Sequence, residues 1–135
     1  MRHTKSIKVQ QADGSILDGT IELIDGPPCH LVFSAKGIGP FLADGEDLFD
    51  ALTALRLQLE SCKCLLLCAG ARTDVSPSGM SRGMSGGRKA YVTHIGKPAL
   101  KNDVVDIFDY AGPDVVGTVD QQMAYHKKWT DYFRS

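Results

Sequence analysis

Residues able to do chemistry crowd into one stretch of this chain. Between Arg72 and Lys89 lie Arg72, Arg82, Arg88 and Lys89 against the single acid Asp74, together with Gly79, Gly83, Gly86, Gly87 and four serines. Glycine admits positive backbone dihedrals and close approach, successive free amides form anion-binding concavities, and arginine forks match phosphate or carboxylate. The stretch has neither Gly-x-x-x-x-Gly-Lys-Ser/Thr nor Gly-x-Gly-x-x-Gly between a strand and a helix, so neither nucleotide-cradle fingerprint accompanies the arginines. Two readings stay open: an anion site, or an ordered loop facing a partner. Met80 and Met84 sit in the same stretch, where polarizable, adaptable side chains either contact a partner or tuck back onto the core.

The other reactive groups are scattered. On an extended strand Cys62, Cys64 and Cys68 would share one face, and with Cys29 or a histidine they could ligate a metal. Structural zinc sites take paired ligands from turns, whereas these cysteines lie in an apolar run with no second pair, so buried thiols and no metal or cofactor are expected. Of His3, His30, His94 and His126, the last falls on the apolar face of a C-terminal helix, where a satisfied core histidine is the usual outcome. No local signature ties a serine or cysteine to any of them, and Cys68 with His94, on strands flanking the loop, is the nearest to a catalytic pair.

Fifteen basic against sixteen acidic residues give a net charge of -1, so no global field draws in nucleic acid or an anionic membrane. Locally the signs separate. Residues 72–89 are net +3, and residues 101–120 carry Asp103, Asp106, Asp109, Asp114 and Asp120 against Lys101. That acidic run either pairs with the basic loop inside the molecule or presents an acidic face to a basic partner.

The elements that would position these residues follow from periodicity. Residues 1–43 read as an antiparallel meander of three strands. Ile7 and Val9, then Ile21 and Leu23, alternate with polar residues around Asp13-Gly14 and Asp18-Gly19, the second a possible bulge, and Cys29–Ala35 forms the third strand before Gly37 to Pro40 breaks it. Residues 44–61 read as a helix capped by Asp44, with Leu48, Leu52, Leu55 and Leu59 on one stripe. Residues 62–110 read as strands at 64–71, 90–96 and 104–110 around the 72–89 loop. Residues 118–134 read as a helix opened by a Thr118–Gln121 capping box, with Val119, Met123, His126, Trp129 and Phe133 on one face. At 135 residues the chain suits one domain burying about two-thirds of its unfolded surface. The expected fold is α+β: a mostly antiparallel mixed sheet of five to six strands with two main helices packed against it. No apolar run approaches the roughly 20 residues needed to cross a bilayer, and the N-terminus runs from charge into a strand pattern, so a cytoplasmic protein is expected.

The tract LLLCAGARTDVSPSGMSRGMSGGRKAYVTHIGKPALKNDVVDIFDYAGPDVVGTVDQQMAYHKKW resembles small bacterial immunity proteins of polymorphic and contact-dependent growth-inhibition toxin systems. The resemblance rests on the Gly-Ala-Arg, Ser-Gly-Met and Gly-Gly-Arg-Lys-Ala-Tyr pieces, Asp-Ile-Phe-Asp-Tyr and the closing helix. It implies a non-enzymatic protein that binds and neutralises one cognate toxin domain, usually by covering its active site, without nucleic acid or membrane as partner. The partner-binding candidates are Arg72, Asp74, Met80, Arg82, Met84, Arg88, Asp103, Asp106 and Asp109. The competing reading is a small enzyme or ligand-binding domain that uses the Gly- and Arg-rich loop on an anionic substrate.

Overall fold

The alternation in the first half of the chain builds a sheet around one apolar face. The computed structural model describes residues 2–134, and the side chains of Arg2, Met80, Met84 and Arg134 lie outside that description. Strands β1 (Arg2–Gln10), β2 (Ile16–Ile24), β3 (Cys29–Ala35) and β4 (Ile38–Gly45) form an antiparallel meander, and the two-residue β5 (Leu65–Leu66) adds to the far side of β1, giving the order β4-β3-β2-β1-β5. Ile7, Val9, Ile21, Leu23, Leu31 and Phe33 alternate inward and are buried, while Thr4, Ser6, Lys8, Thr20 and Ser34 alternate outward. Helix α1 (Leu48–Ser61) lays Leu48, Leu52, Leu55 and Leu59 on that inner face.

Three boundaries differ from expectation. The meander has four strands rather than three, because the Lys36-Gly37 turn folds the chain back and β4 pairs with β3 out to Cys29 opposite Gly45. That pairing holds Asp44 in the sheet, so α1 begins later and its cap is Asp47, whose carboxylate accepts from the Asp50 amide. The register of β1 on β2 runs without interruption through Asp18-Gly19; the bulge lies instead between Phe33 and Ala35.

Beyond β5 the chain builds a second, smaller layer. Instead of a strand over 64–71, β5 ends at Leu66, Cys68 makes only an isolated antiparallel bridge to Tyr110, and a single 3₁₀ turn follows at Ala69–Ala71. Strands β6 (Val75–Ser76), β7 (Lys89–Val92) and β8 (Val104–Asp106) form a three-stranded antiparallel sheet in that order. The Gly- and Arg-rich segment contains a short helix, α2 (Gly79–Ser85), closed at its start by a reciprocal Ser78–Ser81 capping box and at its end by Gly86 in the left-handed region, φ 64°. The fold is α+β, with its strands divided between two antiparallel sheets and its last helix, α3 (Val119–Arg134), packed against α1 and β6. The Thr118–Gln121 box at the start of α3 is present in both directions.

Two glycines let the layers touch. A Cβ at Gly70 would stand 2.5 Å from Leu52 of α1 and 2.9 Å from Ile107, so the 3₁₀ turn passes between them only without a side chain. Gly87, at φ 80°, brings its Cα against the start of α1, where a Cβ would meet Asp47 at 2.8 Å. Next to it the Leu48 amide, one of the free donors of the first turn, donates to the Gly86 carbonyl.

Candidate functional site

The arginines of the loop are each matched to carboxylates of the same chain. Arg72 Nε and Nη2 both donate to Asp74 at 2.8 Å, a two-pronged pair that pushes the Arg72 pKa up. Arg82 of α2 reaches Asp47 at 2.7 Å and Asp50 at 3.1 Å while lying over the Phe49 ring, which straps α2 to the first turn of α1. Arg88 donates to Asp106 at 2.9 Å across the β7–β8 pair and lies over Phe108, with Lys89 also 3.9 Å from Asp106. An incoming anion would have to displace one of these carboxylates, so the segment is held as a brace. Of the two roles open to the acidic run, Asp106 takes the internal one. Asp103 accepts from the Leu100 amide and stands 3.9 Å from His94. Asp109 is exposed, its backbone tied to Ala69 and Asp106. The side chains of Met80 and Met84 lie outside the described residues.

The strand expected to align three thiols is not formed. Cys62 is the exposed C-cap of α1, Cys64 is buried after the left-handed Lys63, and Cys68 is buried beyond the end of β5; all four cysteines are free thiols. Burial pushes the Cys68 thiol up to about 11, only partly opposed by the Arg56 charge, which makes it a poor source of thiolate. His94 is exposed past the end of β7 and is tied to Lys97 rather than carried on a strand.

Arg56, which the helical period places off the apolar stripe of α1, is the polar centre of the molecule. Only 2% exposed, it donates to the Gly70 and Gly117 carbonyls and to Oε1 of Gln122. Gln122, also buried, donates in turn to Gly70 and Val75. One turn on, Glu60 accepts from the Val119 amide at the start of α3. Burial lowers the Arg56 pKa, partly opposed by Cys68 and Glu60. Three neutral acceptors therefore carry a cation that anchors α3 to α1.

That anchoring sets which face of α3 looks outward, and it differs from the expected one. Val119 and Gln122 are buried and His126 and Trp129 half-buried, whereas Met123 and Phe133 are exposed. His126 also departs from the satisfied core histidine: its Nδ1 is shielded with no hydrogen-bond partner among the described residues, and the ring stacks on Trp129 at 6.0 Å. A groove of about 660 Å³ runs between α1 and α3, with Phe49, Thr53, Arg82, Met123 and His126 along it.

Farther along α3 the chain presents an aromatic face. The Tyr125 hydroxyl donates to the Thr93 carbonyl and the Trp129 indole donates to Lys97, clamping residues 93–97 beside the helix. Tyr132 and Phe133, about half exposed, meet edge-on at 5.4 Å, and Phe133 meets Trp129 edge-on at 5.3 Å. Tyr132 lies against Gly96, and Pro98, Ala99, Trp129, Thr130 and Phe133 line a depression of about 440 Å³. Ile95, within the clamped segment, and Leu100, beyond it, are also exposed. The sequence signal was available as Trp129, Tyr132 and Phe133 at i, i+3 and i+4 near the helix end.

No protein-family model and no curated protein matches the chain. Among the described residues, no helix is long and apolar enough to cross a membrane.

Proposed function

We propose that this chain is an immunity protein, acting in the bacterial cytoplasm, that binds one cognate toxin domain and neutralises it by occluding its active site. The observation that carries the reading is the aromatic face made by the half-exposed Tyr132 and Phe133 around the half-buried Trp129. Large rings held in fixed orientation beside a shallow depression are what a protein interface uses as anchors, because they bury much area for little lost rotamer freedom. Hydrogen bonds from Tyr125 and Trp129 hold the face in place before any partner arrives, which lowers the ordering cost of association. The competing ligand-binding reading needs unengaged cations in the Gly- and Arg-rich loop, and Arg72, Arg82 and Arg88 are already matched to aspartates.

Co-expression with the toxin domain encoded in the adjacent reading frame tests the proposal. Cells should survive when the chain is present and stop growing when it is absent. Growth arrest that the chain does not relieve, or neighbouring frames that encode no toxin domain, would contradict it.

A further inference from the structure

The five-stranded sheet ends differently at its two margins. At one, β4 resists an added strand: Pro40 has no amide proton to offer, and the Leu42 carbonyl already accepts from the Gln58 side chain at 2.8 Å. At the other, β1 pairs with β2 along its whole length, but the two-residue β5 covers only Val9 and Gln10 on the far side. The Leu67 amide still reaches the Lys8 carbonyl at 2.9 Å, and there the chain leaves the sheet, since Cys68 bridges to Tyr110 instead. Alternate residues of a strand turn their backbone groups to the same side, so Ser6 and Thr4 direct amide and carbonyl into the lane that follows Leu67. Neither has a hydrogen-bond partner there among the described residues.

The surroundings of this lane specify its occupant. A bare row of alternating donors and acceptors is matched by extended backbone. Beside it Ser6, Lys8, Asp18, Leu67, Phe108 and Tyr110 line a depression of about 180 Å³, on the outward face that Ser6 and Lys8 share. That is smaller than the roughly 300–1,000 Å³ of small-molecule pockets and suits a single large side chain. On the inward face stands Lys5, half-buried and in no ion pair among the described residues, which favours a carboxylate opposite it and disfavours an apolar or basic residue. A second copy lacks this chemistry, because the outward residues of β1 are Thr4, Ser6 and Lys8 and residues 2–8 contain no carboxylate. We infer that the free edge of β1 receives an extended segment of a partner protein by strand addition, with a large apolar residue opposite Ser6 and a carboxylate beside it, opposite Lys5. This edge is separate from the aromatic face of α3, and the inference does not depend on what that face binds.

Short synthetic peptides with the central sequence Thr-Phe-Glu-Val, which sets Phe opposite Ser6 and Glu opposite Lys5 when it runs in the direction of β5, are titrated into the isotope-labelled full chain. The Thr4 and Ser6 amide resonances should shift, and their hydrogen exchange should slow at least roughly fivefold as the lane fills. Replacing Glu with Lys in the peptide should weaken binding about fivefold or more, and Lys5→Glu in the chain should reverse that preference. Methylating the Phe and Val amide nitrogens of the peptide, the donors to the Ser6 and Thr4 carbonyls, should abolish binding. Circular dichroism checks the fold of the variant, and the peptide comparisons decide the matter without it. Thr4 and Ser6 amides that stay unprotected, equal affinity for the Glu and Lys peptides, or undiminished binding of the methylated peptide would overturn the inference. So would protection confined to α3, which would assign the peptide to the aromatic face, or protection of Thr4 and Ser6 that grows with protein concentration alone, which would assign the edge to a second copy.

Discussion

The two layers of this molecule are held together by different forces. In the five-stranded layer Val9, Ile21, Leu31, Phe33, Leu52, Leu55 and Leu59 are almost completely buried, and the sheet and α1 share one apolar face. In the smaller layer the strands are two to four residues long, too short to be secured by strand pairing alone. There Arg72–Asp74, Arg82–Asp47, Arg88–Asp106 and the acceptors around Arg56 complement a smaller buried set. Burial is non-directional and tolerant of conditions, whereas charged cross-links depend on geometry, pH and salt. The part of the chain that carries the proposed binding face is thus the part whose shape rests most on polar contacts.

Adjacent residues of α1 offer the sharpest way to separate the two modes, because Leu55 faces the sheet and Arg56 faces the second layer. Leu55→Ala should cost about 3–5 kcal/mol by urea denaturation, with loss of protection throughout the chain. Arg56→Ala should cost roughly 2–3 kcal/mol, because the Gly70 and Gly117 carbonyls and Gln122 lose their donor in a buried place. Its hydrogen-exchange signature should concentrate in α3 and residues 69–76 and spare β1–β4. Uniform loss of protection in both variants would erase the distinction.

Next in size is an alkaline effect at the junction. Cys68 is pushed up to about 11 by burial, above the ordinary thiol value, so the folded state holds this proton more tightly than the unfolded chain does. Its contribution is whole below the unfolded thiol pKa near 9 and is lost as pH climbs through 11, by roughly 2–3 kcal/mol in all. Cys68→Ala should flatten the stability profile over that window. Equal alkaline slopes in the two proteins would show that the thiol does not titrate as its burial requires.

The smallest effect belongs to the partly exposed pairs. Arg88→Ala should cost about 1 kcal/mol at low salt and less at high salt, since its side chain and that of Asp106 are only partly shielded. The loss should appear as faster exchange in β7 and β8. A salt-independent loss would mean that stacking on Phe108, rather than charge, holds the strand pair.

How far the sequence revealed each layer follows the same division. The Leu48, Leu52, Leu55 and Leu59 stripe and the alternation in β1 to β3 are statements about burial, and the structure follows them. Strand β4 was hidden because Gly37, Gly39 and Pro40 read as a stop, although together with β3 they make a hairpin. Its pairing then carried Asp44 into the sheet and passed the capping role to Asp47. Helix α2 was hidden because Gly79 and Gly83 break any apolar period; it is stabilised by a serine capping box and by Arg82 reaching α1, neither of which leaves a hydrophobic trace. On α3 the aromatic residues were legible, but their direction was not: the buried stripe passes through Gln122 because Arg56 and the carbonyls of Gly70 and Val75 hold that amide, which turns Met123 and Phe133 outward. Long-range polar contacts set these features, and they have no periodicity to read.

The most direct measurement of the proposed role is the affinity of the chain for a toxin domain encoded in an adjacent frame, the partner the proposal requires, compared with that of a Tyr132→Ala, Phe133→Ala variant. Both side chains are about half exposed, so melting temperature should hardly move while affinity falls by at least about 30-fold, the loss expected when interface anchors are truncated. Unchanged affinity in a variant that melts like the parent would contradict the assignment of this face.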